Sequence, residues 1–183
     1  MIGGVMAANN RSAITTAAVM VAGSLAWVIG IDLAEMGGKP GFFGPGPLIA
    51  DANLILEVIL VAGLSYGFLL ARRGNIDAHQ VNQTTWVILN IGLIALVMAG
   101  SMQDVKISKA GDFADWRVGI TWLHAGVGTL TALAGLWIVL QMNDVLPRGL
   151  HVSWWKNLMR AALAGYWVTV LLGFATYYFW YIA

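Results

Sequence analysis

Residues 116–137 read WRVGITWLHAGVGTLTALAGLW, a stretch apolar enough to cross a bilayer that nevertheless carries Arg117, Thr121 and His124. A helix needs about 20 largely apolar residues to cross roughly 30 Å of hydrocarbon, and this run continues to Met142 with no Asp, Glu, Lys or Arg after Arg117. Four other segments have the same character, at 12–34, 48–71, 84–101 and 155–183. The composition agrees: 59% of the 183 residues are hydrophobic and 10% are charged, where soluble domains carry about 25% charged residues. The reading is an all-α membrane protein, with five transmembrane helices in a compact bundle forming a single domain over residues 1–183. The first segment is too long for a signal-peptide core and lacks a small-x-small exit, so it reads as a retained helix.

Five crossings put Arg11, Arg72, Arg73, Arg148, Lys156 and Arg160 on one face, against Lys39, Lys106, Lys109 and Arg117 on the other. The flank richer in Lys and Arg stays cytoplasmic, which predicts the N-terminus inside and the C-terminus outside. The opposite face collects Asp32, Glu35, Asp51, Glu57, Asp104, Asp112 and Asp115. There is no cysteine, so disulfides, thiolate metal sites and thiol catalysis are excluded within the chain. A net charge of +1 with no dense basic run gives no reason to expect nucleic-acid binding.

The outer loop GGKPGFFGPGPL breaks helix and strand with Gly and Pro. The inner connection ARRGNIDAHQVNQT is short, which makes the second and third helices antiparallel neighbours. Trp154 and Trp155 at one end of the last segment, and TYYFWY at the other, are aromatic belts suited to the two headgroup zones.

In the fourth segment Arg117, Thr121, His124, Gly128, Thr131 and Gly135 recur at steps of four and three, which places them on one helix face. Asn53 and Glu57 stand one turn apart in the second segment. At about 1.5 Å per residue, Glu57 and His124 both lie roughly 10 Å below the outer surface. A carboxylate in hydrocarbon costs at least about 2.5 kcal/mol, so Glu57 should be neutral, paired or hydrated. The fifth segment adds Tyr166, Thr169, Gly173, Thr176 and Trp180, with Gly173 permitting close backbone approach.

These residues outline a polar pocket, open outward, between the second, fourth and fifth segments: His124 and Glu57, with Asn53, Arg117, Thr121, Tyr166 and Thr169. Three readings of it are open. The pair ties helix register, it contacts a ligand or cofactor, or it serves a proton relay or quinone.

A two-histidine haem site involving His124 is geometrically implausible in a monomer, because His79 and His151 fall at the inner surface and His124 near the outer one. A haem held by His124 with Met98 or Met102, or a pigment taking a single imidazole, stays open. His79 and His151 are weak metal or lipid-phosphate candidates, and Met98 a weak metal candidate. No hydrolase constellation, zinc spacing, phosphate loop or dinucleotide fingerprint occurs, so nothing argues positively for an enzyme.

The segments DANLILEVILVAGLSYGFLLARRGNIDAHQ, WLHAGVGTLTALAGL and LPRGLHVSWWKNLMRAALAGYWVTVLLGFATYYFWY resemble a bacterial multi-helix membrane family of unknown function, the one that includes the CtaM-like proteins. The likeness spans approximately residues 51–181. It implies a place in the bacterial cytoplasmic membrane and a non-catalytic role in assembly or maturation of haem–copper oxidases, with other integral membrane subunits as partners. An accessory subunit of a respiratory or photosynthetic complex is the alternative. His79 and His124 match family histidines. A further histidine expected near the outer end of the third helix is absent here, where the chain reads ALVMAGSMQD.

Overall fold

The computed structural model describes residues 39–98, 102, 105 and 110–183, with scattered positions between 19 and 30. The predicted first span, 12–34, lies for the most part outside the described residues, as does the end of the third span beyond Met98. Four long helices carry the fold: α1 (Leu48–Arg72), α2 (Ile76–Leu93), α3 (Trp116–Met142) and α4 (Trp155–Tyr181). A π-helical turn, Ile94–Met98, extends α2, and short 3-10 turns at Ala110–Ala114 and Arg148–Leu150 precede α3 and α4. Each long helix, α2 counted with its π-helical extension, is long and apolar enough to cross a membrane. This is a multi-pass membrane protein, all helical among the described residues.

The limits of α1, α3 and α4 match the sequence reading within a residue or two, but α2 begins eight residues earlier than the expected start at residue 84. Most of the supposed inner loop is helix. Gly74 turns the chain at φ +77°, and the Asn75 side chain caps α2 by accepting from the Ala78 amide at 3.3 Å. The polar first turns of α2 are polar because they bind α1. Asn82 Nδ2 donates to the Gly63 carbonyl at 2.8 Å, Gln83 Nε2 to that of Leu64 at 3.0 Å, and His79 Nδ1 to that of Gly67 at 2.8 Å. Gly63 and Gly67 make this seam possible, since a Cβ at either would collide with Trp86 or with Asn82 and Gln83.

The helices pack in a ring, α1 on α2, α2 on α3, α3 on α4 and α4 on α1. A core of Leu60, Val61, Leu64, Leu93, Val139 and Val170 fills its middle. Side chains such as Leu123, Leu130, Leu133, Leu171 and Phe174 remain exposed around the outside, as suits a surface that meets lipid. Arg72, Arg73, Arg148, Lys156 and Arg160 gather at one end of the ring, called here the basic end.

At the other end, the loop before α1 folds back on itself through a Pro40–Pro47 bridge. Asp51, with no exposed surface, anchors it. Its carboxylate accepts from the Phe43 amide at 2.7 Å and from the Tyr177 hydroxyl at 2.5 Å.

Candidate functional site in the cleft opposite the basic end

Two cavities are stacked along the axis of the ring. The one at the end opposite the basic residues has a volume of about 390 Å³, and Glu57 and His124 both line it. His124 Nε2 stands 3.7 Å from Glu57 Oε1, too long for a hydrogen bond, and an ion pair at that distance requires a protonated imidazole. The two were placed at one depth by counting residues, and the fold brings them face to face.

Their orientation comes from a chain of local choices. His124 Nδ1 lies 3.0 Å from the Thr169 carbonyl, which can only accept, so Nδ1 carries a proton and a neutral ring keeps its lone pair on Nε2. The Thr169 hydroxyl is turned away, donating to the Gly165 carbonyl at 2.9 Å. Asn53, one turn before Glu57, donates from Nδ2 to Glu57 Oε1 at 3.0 Å. Gly173 supplies the space: a Cβ there would stand 2.5 Å from Glu57 Oε2 and 3.3 Å from His124 Cε1.

The result is a site rich in acceptors. Glu57 Oε2 and Asn53 Oδ1 are buried without a hydrogen-bond partner among the described residues, and Nε2 of the neutral imidazole adds a lone pair beside them. Buried polar atoms normally find partners, and leaving one unpaired costs about 1–3 kcal/mol. Such a set is matched by a group that donates, whether hydroxyl, ammonium or another N–H. An axial bond from His124 to a haem or pigment would need the one nitrogen that faces Glu57. The arrangement therefore suits a donor-bearing organic group better than a metal macrocycle.

The remaining predicted residues divide clearly. Thr121, Tyr166 and Thr169 line the cleft, and Thr121 Oγ1 also accepts from Trp180 Nε1 at 2.8 Å. Arg117 does not belong to it. As the second residue of α3 its side chain is exposed, above the level at which the stripe becomes buried.

Met98 and Met102 lie on the cleft wall, while His79 and His151 do not. His79 is bound to Gly67 on the α1–α2 seam, and His151 Nε2 to the Leu146 carbonyl at 3.0 Å. Among the described residues no three His, Asp or Glu side chains come close enough to hold a metal ion.

Two features escaped the sequence reading. Asn90 reaches the cleft from α2 and donates to the Tyr166 hydroxyl at 3.4 Å. Asp51 pairs with Tyr177 across 126 residues of chain. An amide in the middle of an apolar run is a visible signal for Asn90, but its partner is visible only in three dimensions. No family model, curated protein or solved structure matches the chain.

Proposed function

We propose that the chain is a non-catalytic protein of the bacterial cytoplasmic membrane that assists assembly or maturation of a haem–copper respiratory oxidase, and that the Glu57–His124 cleft holds a donor-bearing ligand during that work. The oxidase assignment is supported by the resemblance of residues 51–181 to the CtaM-like family. The ligand assignment is carried by one observation: the unpartnered Glu57 Oε2 and Asn53 Oδ1 beside a histidine whose Nδ1 is already committed. A hydroxyl of a quinol-like amphiphile, or a donor side chain from a partner helix, has the chemistry these atoms accept.

Deleting the gene in its host, then restoring the wild type, Glu57→Leu or His124→Gln, tests both parts. The expected result is loss of active oxidase with its structural subunits still made, restored by the wild type and not by the variants. Normal oxidase activity in the deletion strain overturns the oxidase assignment. Full rescue by both variants overturns the cleft's part in it.

A second reading, a permanent accessory subunit of an electron-transfer complex, is favoured by the absence of any long extramembrane segment between the described helices. Co-purification at a fixed stoichiometry would select it.

A further inference from the structure

The second cavity opens at the basic end and has a volume of about 440 Å³. All four helices contribute to it, and Tyr166 is the one described residue that lines both cavities. Its depth is apolar: Leu64, Val87, Ile138, Val139, Ala162 and Leu163 form the walls. Its rim is cationic, with Arg72, Lys156 and Arg160 all lining it and all exposed, and no Asp or Glu among its lining residues.

Among the described residues the three cations are not used in ion pairs: none of them meets a carboxylate within 4.0 Å. Arg72 rests over the Phe68 ring at 5.9 Å, Lys156 over Trp155 at 5.3 Å, and Arg160 Nη1 donates to Asn157 Oδ1 at 3.3 Å. These are weak neutral supports that hold positive charge at the mouth without cancelling it.

A largely apolar chamber under a basic rim, with no carboxylate among the residues lining it, in a protein whose outside meets lipid, has the complement of one molecule: a phospholipid with an acidic headgroup. We propose that the inner chamber binds one anionic phospholipid, phosphate among Arg72, Lys156 and Arg160, and an acyl chain extending toward Tyr166. Polybasic surfaces attract acidic lipids by themselves. What sets this site apart is the chamber behind the charges, which takes the tail out of the bulk membrane and should hold the lipid through detergent extraction.

The experiment is native mass spectrometry of the full chain, extracted after reconstitution into phosphatidylcholine vesicles with or without about one fifth phosphatidylglycerol. The proposal expects one retained phosphatidylglycerol and no retained phosphatidylcholine. Changing Arg72, Lys156 or Arg160 to Gln one at a time, which leaves five of the six Lys and Arg that set the orientation, should weaken retention by about fivefold in each case. Ala162→Leu keeps every charge but fills the chamber wall, and should also lose the lipid.

Retention by Ala162→Leu together with loss by the charge variants would mean adsorption at the surface, and overturns the chamber. Equal retention of phosphatidylcholine, or retention of neither lipid, overturns the proposal outright. A disulfide between Met159→Cys and a cysteine scanned through residues 12–34 would seat that segment in the chamber instead, with the same consequence.

Discussion

Glu57 and His124 show how far single residues can be argued. A glutamate in an apolar helix must find a partner because an exposed charge there costs several kcal/mol, and the same logic sets its tolerance to change. Glu57→Gln keeps an acceptor and a hydrogen-bond pairing with Asn53, whereas Glu57→Leu strands the Asn53 amide. The expected order of thermal stability in detergent is wild type near Gln, with Leu lower by about 1–3 kcal/mol; equal melting of the two variants would mean that Asn53 does not need the carboxylate.

For His124, Gln replaces one hydrogen bond to the Thr169 carbonyl but not the lone pair on Nε2. A fold that melts unchanged while ligand or oxidase partner is lost assigns His124 to binding. No change in either assigns it to helix register alone, a contribution of about 0.6 kcal/mol.

Between helices, glycine decides which backbones can meet. Gly173 and Gly126 look alike in sequence, yet a Cβ at Gly173 would strike Glu57 and approach His124, while at Gly126 nothing lies within 4 Å. Gly173→Ala should therefore cost about 1–3 kcal/mol by overpacking and push the pair apart. Gly126→Ala should be neutral or stabilising by up to about 1 kcal/mol, because alanine is the better helix former. Melting curves of the two variants in one detergent check this contrast.

The Asp51 lock is the other test at this scale. Asp51→Ala leaves the Phe43 amide and Tyr177 hydroxyl without their acceptor and should cost about 1–3 kcal/mol for each group left buried and unpaired. Tyr177→Phe, which removes one donor, should cost less. Protease cutting in the loop before α1 reports the release directly.

Over the whole molecule the testable property is which way the ring faces. The Lys and Arg count predicts that the basic end faces the cytoplasm. The natural lack of cysteine makes the check clean, since single cysteines at Arg73, Ala183 and Ala8 can be probed with an impermeant thiol reagent on intact cells. Labelling is expected at Ala183 alone. Labelling at Arg73 inverts the bundle, and labelling at Ala8 with protection at Arg73 means that residues 12–34 do not cross the membrane.

The sequence alone was enough for what depends on solvent and period. A run of apolar residues has one stable form in lipid, because every backbone amide must be satisfied within the helix; hence α1, α3 and α4 were legible almost to the residue. The stripe from Thr121 to Gly135 was legible for the same reason, as helical spacing alone puts it on one face.

The start of α2 was not legible, because hydropathy counts Asn82, Gln83 and His79 as loop-like when their polar atoms are spent on carbonyls of α1. Nor were the Asn90–Tyr166 contact, the Asp51–Tyr177 lock, the exclusion of Arg117 from the cleft, or the second chamber. Each depends on how two helices turn and how close they come. That rotation is set by the sum of many small packing contacts, with the glycines choosing the points of closest approach, and no spacing along one chain contains it.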